Sequence, residues 1–152
     1  MKKKFLAAAV LLLLGLQFVR PEKNVSSALH EPDDITALHP TPPEVKAILA
    51  RACYDCHSDT TRYPWYAEVQ PVGWWLAQHV HDGKRHLNFS QFGKYDAKRA
   101  TRKMNQLVDE TREHEMPLAS YRLMHRDAQL FDADLAALEA WAQGVREHLA
   151  EK

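Results

Sequence analysis

Cys53-Tyr54-Asp55-Cys56-His57 is the stretch around which the fold of this chain is organised, and it holds the only two cysteines among 152 residues. Two thiols at this spacing can both add to vinyl groups on one edge of a porphyrin, and the adjoining imidazole can then ligate the iron as its proximal ligand. The motif therefore predicts one haem c per chain, attached covalently through Cys53 and Cys56 and ligated by His57.

Other chemistries also use paired cysteines. A structural zinc site needs four ligands, and the chain has neither a second cysteine pair nor a His-x₃₋₅-His pair at the usual downstream spacing. A redox dithiol belongs in a βαβ context, whereas strand-like alternation is almost absent here. A disulfide across two residues would be a strained staple. The sequence favours haem over these alternatives.

Composition limits the choice of partner and the number of domains. Lys and Arg total 20 and Asp and Glu total 20, so the basic excess that nucleic-acid binding requires is missing. The length suits one modest domain with appendages. We therefore expect no nucleic-acid partner.

The N-terminus has the layout of an export signal, with Lys2-Lys3-Lys4 ahead of an apolar run over residues 5–19. No Ala-x-Ala-like cleavage site follows directly. Residues 1–20 are therefore predicted to be a signal or membrane anchor, and 5–19 to hold the chain on the periplasmic side of the inner membrane. The alternative is a soluble periplasmic protein after cleavage. Four prolines and few apolar residues predict a disordered tether over 21–42.

Residues 43–152 are predicted to form an all-α domain of about four helices, because apolar residues recur at helical spacing. The first helix begins at Thr41-Pro42-Pro43, with Thr41 as its cap, and delivers the cysteine motif at its C-terminal end. The second runs from Val72 to about Asp82, where Gly83 ends it. A third spans 96–113, and the last begins near Asp132.

Aromatic residues and one histidine are candidates for a pocket around the motif. Tyr63 and Trp65 lie in a ring-rich loop, and Trp75 and His79 share the apolar face of the second helix. The alternative for the rings is ordinary core packing. Two interpretations of His79 remain open. It is either a hydrogen-bonded core histidine or a residue that contacts haem, through a propionate or as an axial ligand.

The chain resembles the small haem-binding domain family of c-type cytochromes over most of its length. The matching blocks are Cys53-Tyr54-Asp55-Cys56-His57-Ser58, Tyr63-Pro64-Trp65-Tyr66, Trp74-Trp75, His86-Leu87-Asn88-Phe89-Ser90 and Glu115-Met116-Pro117-Leu118. The resemblance implies a cytochrome c-like helical fold around covalent haem.

By analogy with cytochromes c, Met116 before Pro117 is expected to be the distal iron ligand, because a thioether is a soft, neutral ligand. The alternative is a pocket-filling apolar residue. Met104 lies on an apolar helix face and Met124 lacks the Met-Pro turn, so both fit less well. His79 and His114 are the rival ligands.

Three classes of function remain open at this stage. The first is electron transfer through six-coordinate haem with an unidentified redox partner, in which case the protein is not an enzyme. The second is a peroxidase-like haem enzyme with an open distal site, for which His79 or His114 would supply the acid–base group. The third is a haem-based sensor or interaction module.

Overall fold

The computed structural model describes residues 2–26 and 32–151. Those residues form eight α-helices and no β-strand, so the prediction of an all-α fold is confirmed. The helices are α1 (Lys2–Leu16), α2 (Ile35–Leu38), α3 (Pro43–Ala52), α4 (Tyr54–His57), α5 (Val72–His86), α6 (Ala97–Arg112), α7 (Ala119–Met124) and α8 (Asp132–Ala150). Short 3₁₀ helices lie at Trp65–Glu68, Phe89–Lys94 and Arg126–Ala128.

The core is built on α6 and α8, which pack along each other, while α3 lies against α8. Residues at helical spacing form the buried face of α6, and Asp96 caps it by accepting a hydrogen bond from Arg99 N (2.8 Å). Trp141 of α8 is buried and donates its indole N–H to Thr41 Oγ1 (3.2 Å). The predicted positions of both helices are confirmed.

The start of α3 and the cysteine motif differ from prediction. Thr41 does not cap α3, because its hydroxyl donates to His39 O (2.9 Å) and accepts from Trp141. Pro42 occupies the cap position and Pro43 begins the helix. The motif forms its own helical turn, α4, in which His57 N–H donates to Cys53 O (3.0 Å). His57 therefore lies inside a helix rather than beyond the end of one.

Helix α5 continues past Gly83 to His86, so the predicted end at Gly83 is wrong. A Cβ at position 83 would lie 2.5 Å from Cys56 O, which means that glycine allows α5 to approach α4. The buried residues of α5 are Gly73 and Val80, whereas Val72 and Trp75 are exposed. The predicted apolar face of α5 is therefore only partly buried.

The described parts of residues 21–42 pack on the domain, which differs from the predicted tether. Asn24 Nδ2 donates to Ser58 O and Thr61 Oγ1 (both 2.9 Å), and Val25 pairs with Thr60 in a single antiparallel bridge. Ile35 is fully buried in the core. Composition missed this packing because one buried isoleucine and a few polar contacts suffice to dock a short segment. Residues 27–31 lie outside the described part.

Across residues 2–26 and 32–151, no helix combines the length and the apolar content needed to cross a membrane. The predicted anchor at 5–19 is therefore not supported by α1. This helix has 15 residues and ends at Leu16, which gives roughly 22 Å against the roughly 30 Å of a bilayer core.

Candidate functional site

A cavity of about 440 Å³ lies between α5 and α6, beside the cysteine motif. This volume falls within the roughly 300–1,000 Å³ of small-molecule and cofactor sites. Four of the predicted site residues line it: Cys53, His57, His79 and Met116. The rest of the wall is apolar in its deeper part, through Ala52, Leu87, Phe89, Leu107, Pro117 and Leu118.

His57 is held in one tautomer. Its Nδ1 lies 2.9 Å from Leu87 O, and a carbonyl can only accept, so Nδ1 carries the proton and donates. Nε2 is left with a free lone pair on a residue that lines the cavity. Burial lowers the pKa of His57, which favours the neutral imidazole. A neutral histidine whose other ring nitrogen donates to a backbone carbonyl has the arrangement of a metal ligand.

Both cysteines are free thiols and are half-buried. Burial raises the pKa of Cys53 to about 12 and that of Cys56 to about 11, so both stay protonated at neutral pH. A reactive redox dithiol needs the opposite shift, towards a low pKa. Over the described residues, no three His, Cys, Asp or Glu side chains lie together as metal ligands. The raised thiol pKa values do not favour a redox dithiol, and no ligand cluster for zinc lies among the described residues.

Met116 reaches the cavity from the end of α6. His114 adopts a left-handed backbone conformation (φ 59°), which ends the helix, and Met116 N–H then donates to Glu110 O (3.0 Å). Met116 also lines a smaller cavity of about 30 Å³ together with both cysteines. His114 is exposed and lines neither cavity.

The other two methionine candidates lie within helices, Met104 in α6 and Met124 in α7. Met104 is fully buried in the core on α6. Met124 is 54% exposed on α7. Neither contributes to either cavity.

His79 lines the same cavity as Met116 and is only half-buried. Its Nδ1 donates to Trp75 O (2.9 Å), which leaves Nε2 as an acceptor, and its ring packs on the Trp75 ring at 4.1 Å. The structure therefore brings two candidate distal groups, a thioether and an imidazole, into one cavity.

Tyr63, Trp65 and Trp75 were predicted as pocket residues, and the structure places all three outside the cavity wall. The Tyr63 hydroxyl accepts from Asn24 N (2.8 Å), and Trp65 is 77% exposed on a 3₁₀ helix that packs on α5. Trp75 is exposed and reaches the site only through its contact with His79. Ring content alone does not tell which side of α5 a ring-rich loop covers.

A polar stripe of α6 and the end of α5 complete the cavity mouth, and sequence reasoning missed it. Lys103 donates to Gln106 Oε1 (2.9 Å), and burial lowers the pKa of Lys103. The available signal was helical spacing, since positions 103, 106 and 110 run beside the apolar face of α6. Such charged stripes are usually solvated. The mouth residues are Asp82, His86, Lys103, Gln106 and Glu110, while the buried Thr111 also lines the cavity.

A family model described as a haem-binding domain matches residues 11–144, which include the motif, the cavity and most of α8. No curated protein matches the chain significantly, and no solved structure does.

Proposed function

Because the chain belongs to the haem-binding domain family, we propose that it is a c-type cytochrome that carries single electrons in the bacterial periplasm. The observation that carries this proposal is His57, neutral and oriented by Leu87 O, beside Cys53 in one cavity. When bound, haem supplies an iron centre that changes oxidation state by one electron. The chain supplies the ligands, the attachment points and the apolar surroundings.

The residues of the cavity fit a haem group. Its deeper wall is apolar and its mouth carries charged and polar side chains, which suits a flat apolar ring with carboxylates on one edge. His57 offers Nε2 as proximal ligand. Leu87 O holds that ring in place and makes the imidazole a stronger donor to a metal.

Cys53 and Cys56 are proposed as the attachment points. Each thiol adds across one vinyl group: the S–H bond and the vinyl π bond break, a carbon–sulfur bond forms, and the hydrogen goes to the other vinyl carbon. The addition is redox-neutral, so it requires no oxidant. Support comes from two free thiols at the wall of the smaller cavity, one of which also lines the main one.

Met116 is proposed as the distal ligand. It is a neutral thioether on the cavity wall, and such a ligand favours reduced iron and raises the potential. His79 is the alternative ligand, because it lines the same cavity. Its Nδ1 is engaged by Trp75 O, so Nε2 is the nitrogen that would ligate the iron. An iron left without a distal ligand, with His79 beside it, would instead favour a haem enzyme or a sensor.

Export to the periplasm is proposed from the three lysines at the start of α1, which precede its apolar residues. The physiological partners would then be a redox protein on that side and the inner membrane, which the N-terminal segment would contact. Intact mass of protein from separated soluble and membrane fractions tests this. Retention of residues 1–20 in the membrane fraction is expected. A soluble species beginning near residue 30 would mean a cleaved signal, and protein confined to the cytoplasm would refute export.

The haem type is tested with protein from a host that matures c-type cytochromes. Haem should stay with the chain through acid–acetone extraction and a denaturing gel. Extractable haem would refute covalent attachment.

The distal ligand is tested by the weak near-infrared sulfur-to-iron band of the ferric protein. Met116→Ala should abolish this band and lower the reduction potential. Met124→Ala is the matched control, because Met124 is exposed and lines no cavity, and it should keep the band. A band that survives Met116→Ala would refute the assignment. Loss of low-spin character in His79→Ala would point to ligation by two histidines, and a five-coordinate wild type to the enzyme or sensor alternative.

A further inference from the structure

Asp55, one of the two residues between the cysteines of the motif, is a buried carboxylate at the centre of a hydrogen-bond network. Its Oδ1 accepts from Arg62 N (3.1 Å) and Arg62 Nε (3.0 Å), and its Oδ2 accepts from Arg62 Nη2 (3.1 Å) and Tyr121 OH (2.6 Å). Both oxygens are therefore satisfied, as a buried carboxylate requires.

Arg62 fixes the position of this carboxylate. Its backbone N–H and guanidinium hold Asp55 from one side, and Nη2 also donates to Ala50 O (2.8 Å) near the end of α3. The bidentate side-chain contact constrains the direction of the carboxylate as well as its distance. The contacts with Arg62 therefore orient the Asp55 carboxylate independently of its hydrogen bond with Tyr121.

Tyr121 connects the motif to a distant part of the chain. It lies on α7, which directly follows the loop Met116-Pro117-Leu118, and it lines the smaller cavity with that loop and both cysteines. Its hydrogen bond to Asp55 joins residues 66 positions apart in sequence. The loop that bears the proposed distal ligand is thereby tied to the helix that bears the attachment points.

Polar contacts matter more for α7 than for the other helices around the site. It has six residues and none of them is fully buried, so apolar packing alone holds it weakly. The hydrogen bond from Tyr121 to Asp55, together with the 2.8 Å contact between His125 Nε2 at the end of the helix and Tyr66 OH, is therefore a large share of what holds this helix in place.

We propose that Asp55 and Tyr121 are positioning residues, whose hydrogen bond holds the 116–118 loop against the motif helix and keeps Met116 at the iron. The statement about Met116 rests on the proposed function. The statement about the loop rests only on the contacts of Asp55 and Tyr121.

The test compares two tyrosine-to-phenylalanine variants of the full-length holo protein. Tyr121→Phe removes the hydroxyl that binds Asp55. Tyr54→Phe is the matched control, because Tyr54 lies on the same motif helix and its hydroxyl also donates to a carboxylate, that of Asp34 (3.0 Å). Tyr54 does not line the smaller cavity formed with the 116–118 loop. Both changes remove one hydroxyl group that donates to an aspartate carboxylate.

Two readouts separate positioning from a general loss of stability. Amide hydrogen exchange of residues 116–124 should accelerate roughly tenfold or more in Tyr121→Phe, since a hydrogen bond to a charged acceptor contributes a factor of that order. Cyanide association with the ferric protein should accelerate similarly, because the loop leaves the iron more often. Tyr54→Phe should leave both rates near those of the wild type.

The outcomes distinguish the inference from the proposed function. Equal exchange of residues 116–124 in the two variants would overturn the proposal that the Asp55–Tyr121 hydrogen bond holds the 116–118 loop. Faster amide exchange with an unchanged rate of cyanide association would overturn the claim that this hydrogen bond keeps Met116 at the iron. A wild type without the near-infrared band would refute Met116 ligation, while the exchange experiment would still decide whether Tyr121 holds the loop. If Tyr121→Phe gives no holo protein, Asp55→Ala, which removes the acceptor of the Tyr121 hydroxyl, is measured in the same way, and unchanged exchange of residues 116–124 in that variant also counts against the proposed role of the hydrogen bond.

Discussion

Gly83→Ala tests the closest approach between α5 and the motif helix. The added Cβ would lie 2.5 Å from Cys56 O and 3.1 Å from both Cys56 C and Cys56 Cβ. The nearest of these atoms is a backbone carbonyl oxygen, which cannot rotate away. Gly144→Ala is the matched control: it also lies inside a helix, α8, and a Cβ there would meet nothing within 4 Å.

The two substitutions share one energetic gain and differ in one cost. Ala stabilises a helix interior by roughly 1 kcal/mol relative to Gly, so Gly144→Ala should raise the free energy of unfolding by about that amount. Overpacking at Gly83 costs typically 1–3 kcal/mol, and the rigid backbone contact puts it near the upper value. The net effect at Gly83 is a loss of about 2 kcal/mol, so the variants should differ by about 3 kcal/mol.

Thermal unfolding of the two holo variants, followed by far-ultraviolet circular dichroism, measures this difference. For a domain of this size about 1 kcal/mol shifts the Tm by roughly 2–4 °C. Gly144→Ala should therefore melt about 2–4 °C above the wild type, and Gly83→Ala about 4–8 °C below it. A Gly83→Ala protein that melts at or above the wild-type temperature would refute the close packing of α5 on Cys56.

Three further changes test the cavity, the docked N-terminal segment and a buried carboxylate. The Cys53→Ala, Cys56→Ala double variant should lose helix and melt broadly, because a cavity of about 440 Å³ stays unfilled. Ile35→Ala should cost roughly 2–5 kcal/mol, since Ile35 is fully buried. Burial raises the pKa of Asp59, but hydrogen bonds, first that of Lys84 (Nζ–Oδ1 2.7 Å), outweigh it and lower the pKa overall. Asp59→Asn should therefore destabilise most near neutral pH, and the difference should shrink below about pH 4.

The same measurements contain the results that would contradict these three expectations. A double cysteine variant with a sharp melt equal to that of the holo protein would show that the fold does not depend on the cofactor. Val25→Ala serves as the control for Ile35→Ala, because Val25 is 60% exposed; equal, negligible effects would favour the disordered tether. A pH-independent loss in Asp59→Asn, measured by urea unfolding from pH 3 to 7, would mean that the carboxylate charge plays no part.

The candidate site was predictable where its chemistry is local. Cys53, Cys56 and His57 lie within five residues of one another and are recognisable as a motif. The Met116-Pro117 pair identified Met116 as a candidate ligand. The remaining wall was not predictable, because it depends on how α5 and α6 face each other across a distance in sequence. Lys103 looks like any exposed lysine until α5 closes the cavity beside it, and Trp65 looks like a pocket residue until its 3₁₀ helix packs elsewhere.

By itself, the sequence determined the all-α class, the position of α6 and α8, and the grouping of two cysteines and a histidine at residues 53–57. Helical periodicity, an Asp96 cap and the spacing of two thiols act over a few residues and need no knowledge of the rest of the chain. Only the tertiary structure decided why position 83 is glycine, where residues 32–42 dock and what Asp55 binds. Each of these depends on atoms far apart in sequence, such as Cys56 O against Gly83 and Tyr121 OH against Asp55, whose contact exists only after the helices have packed.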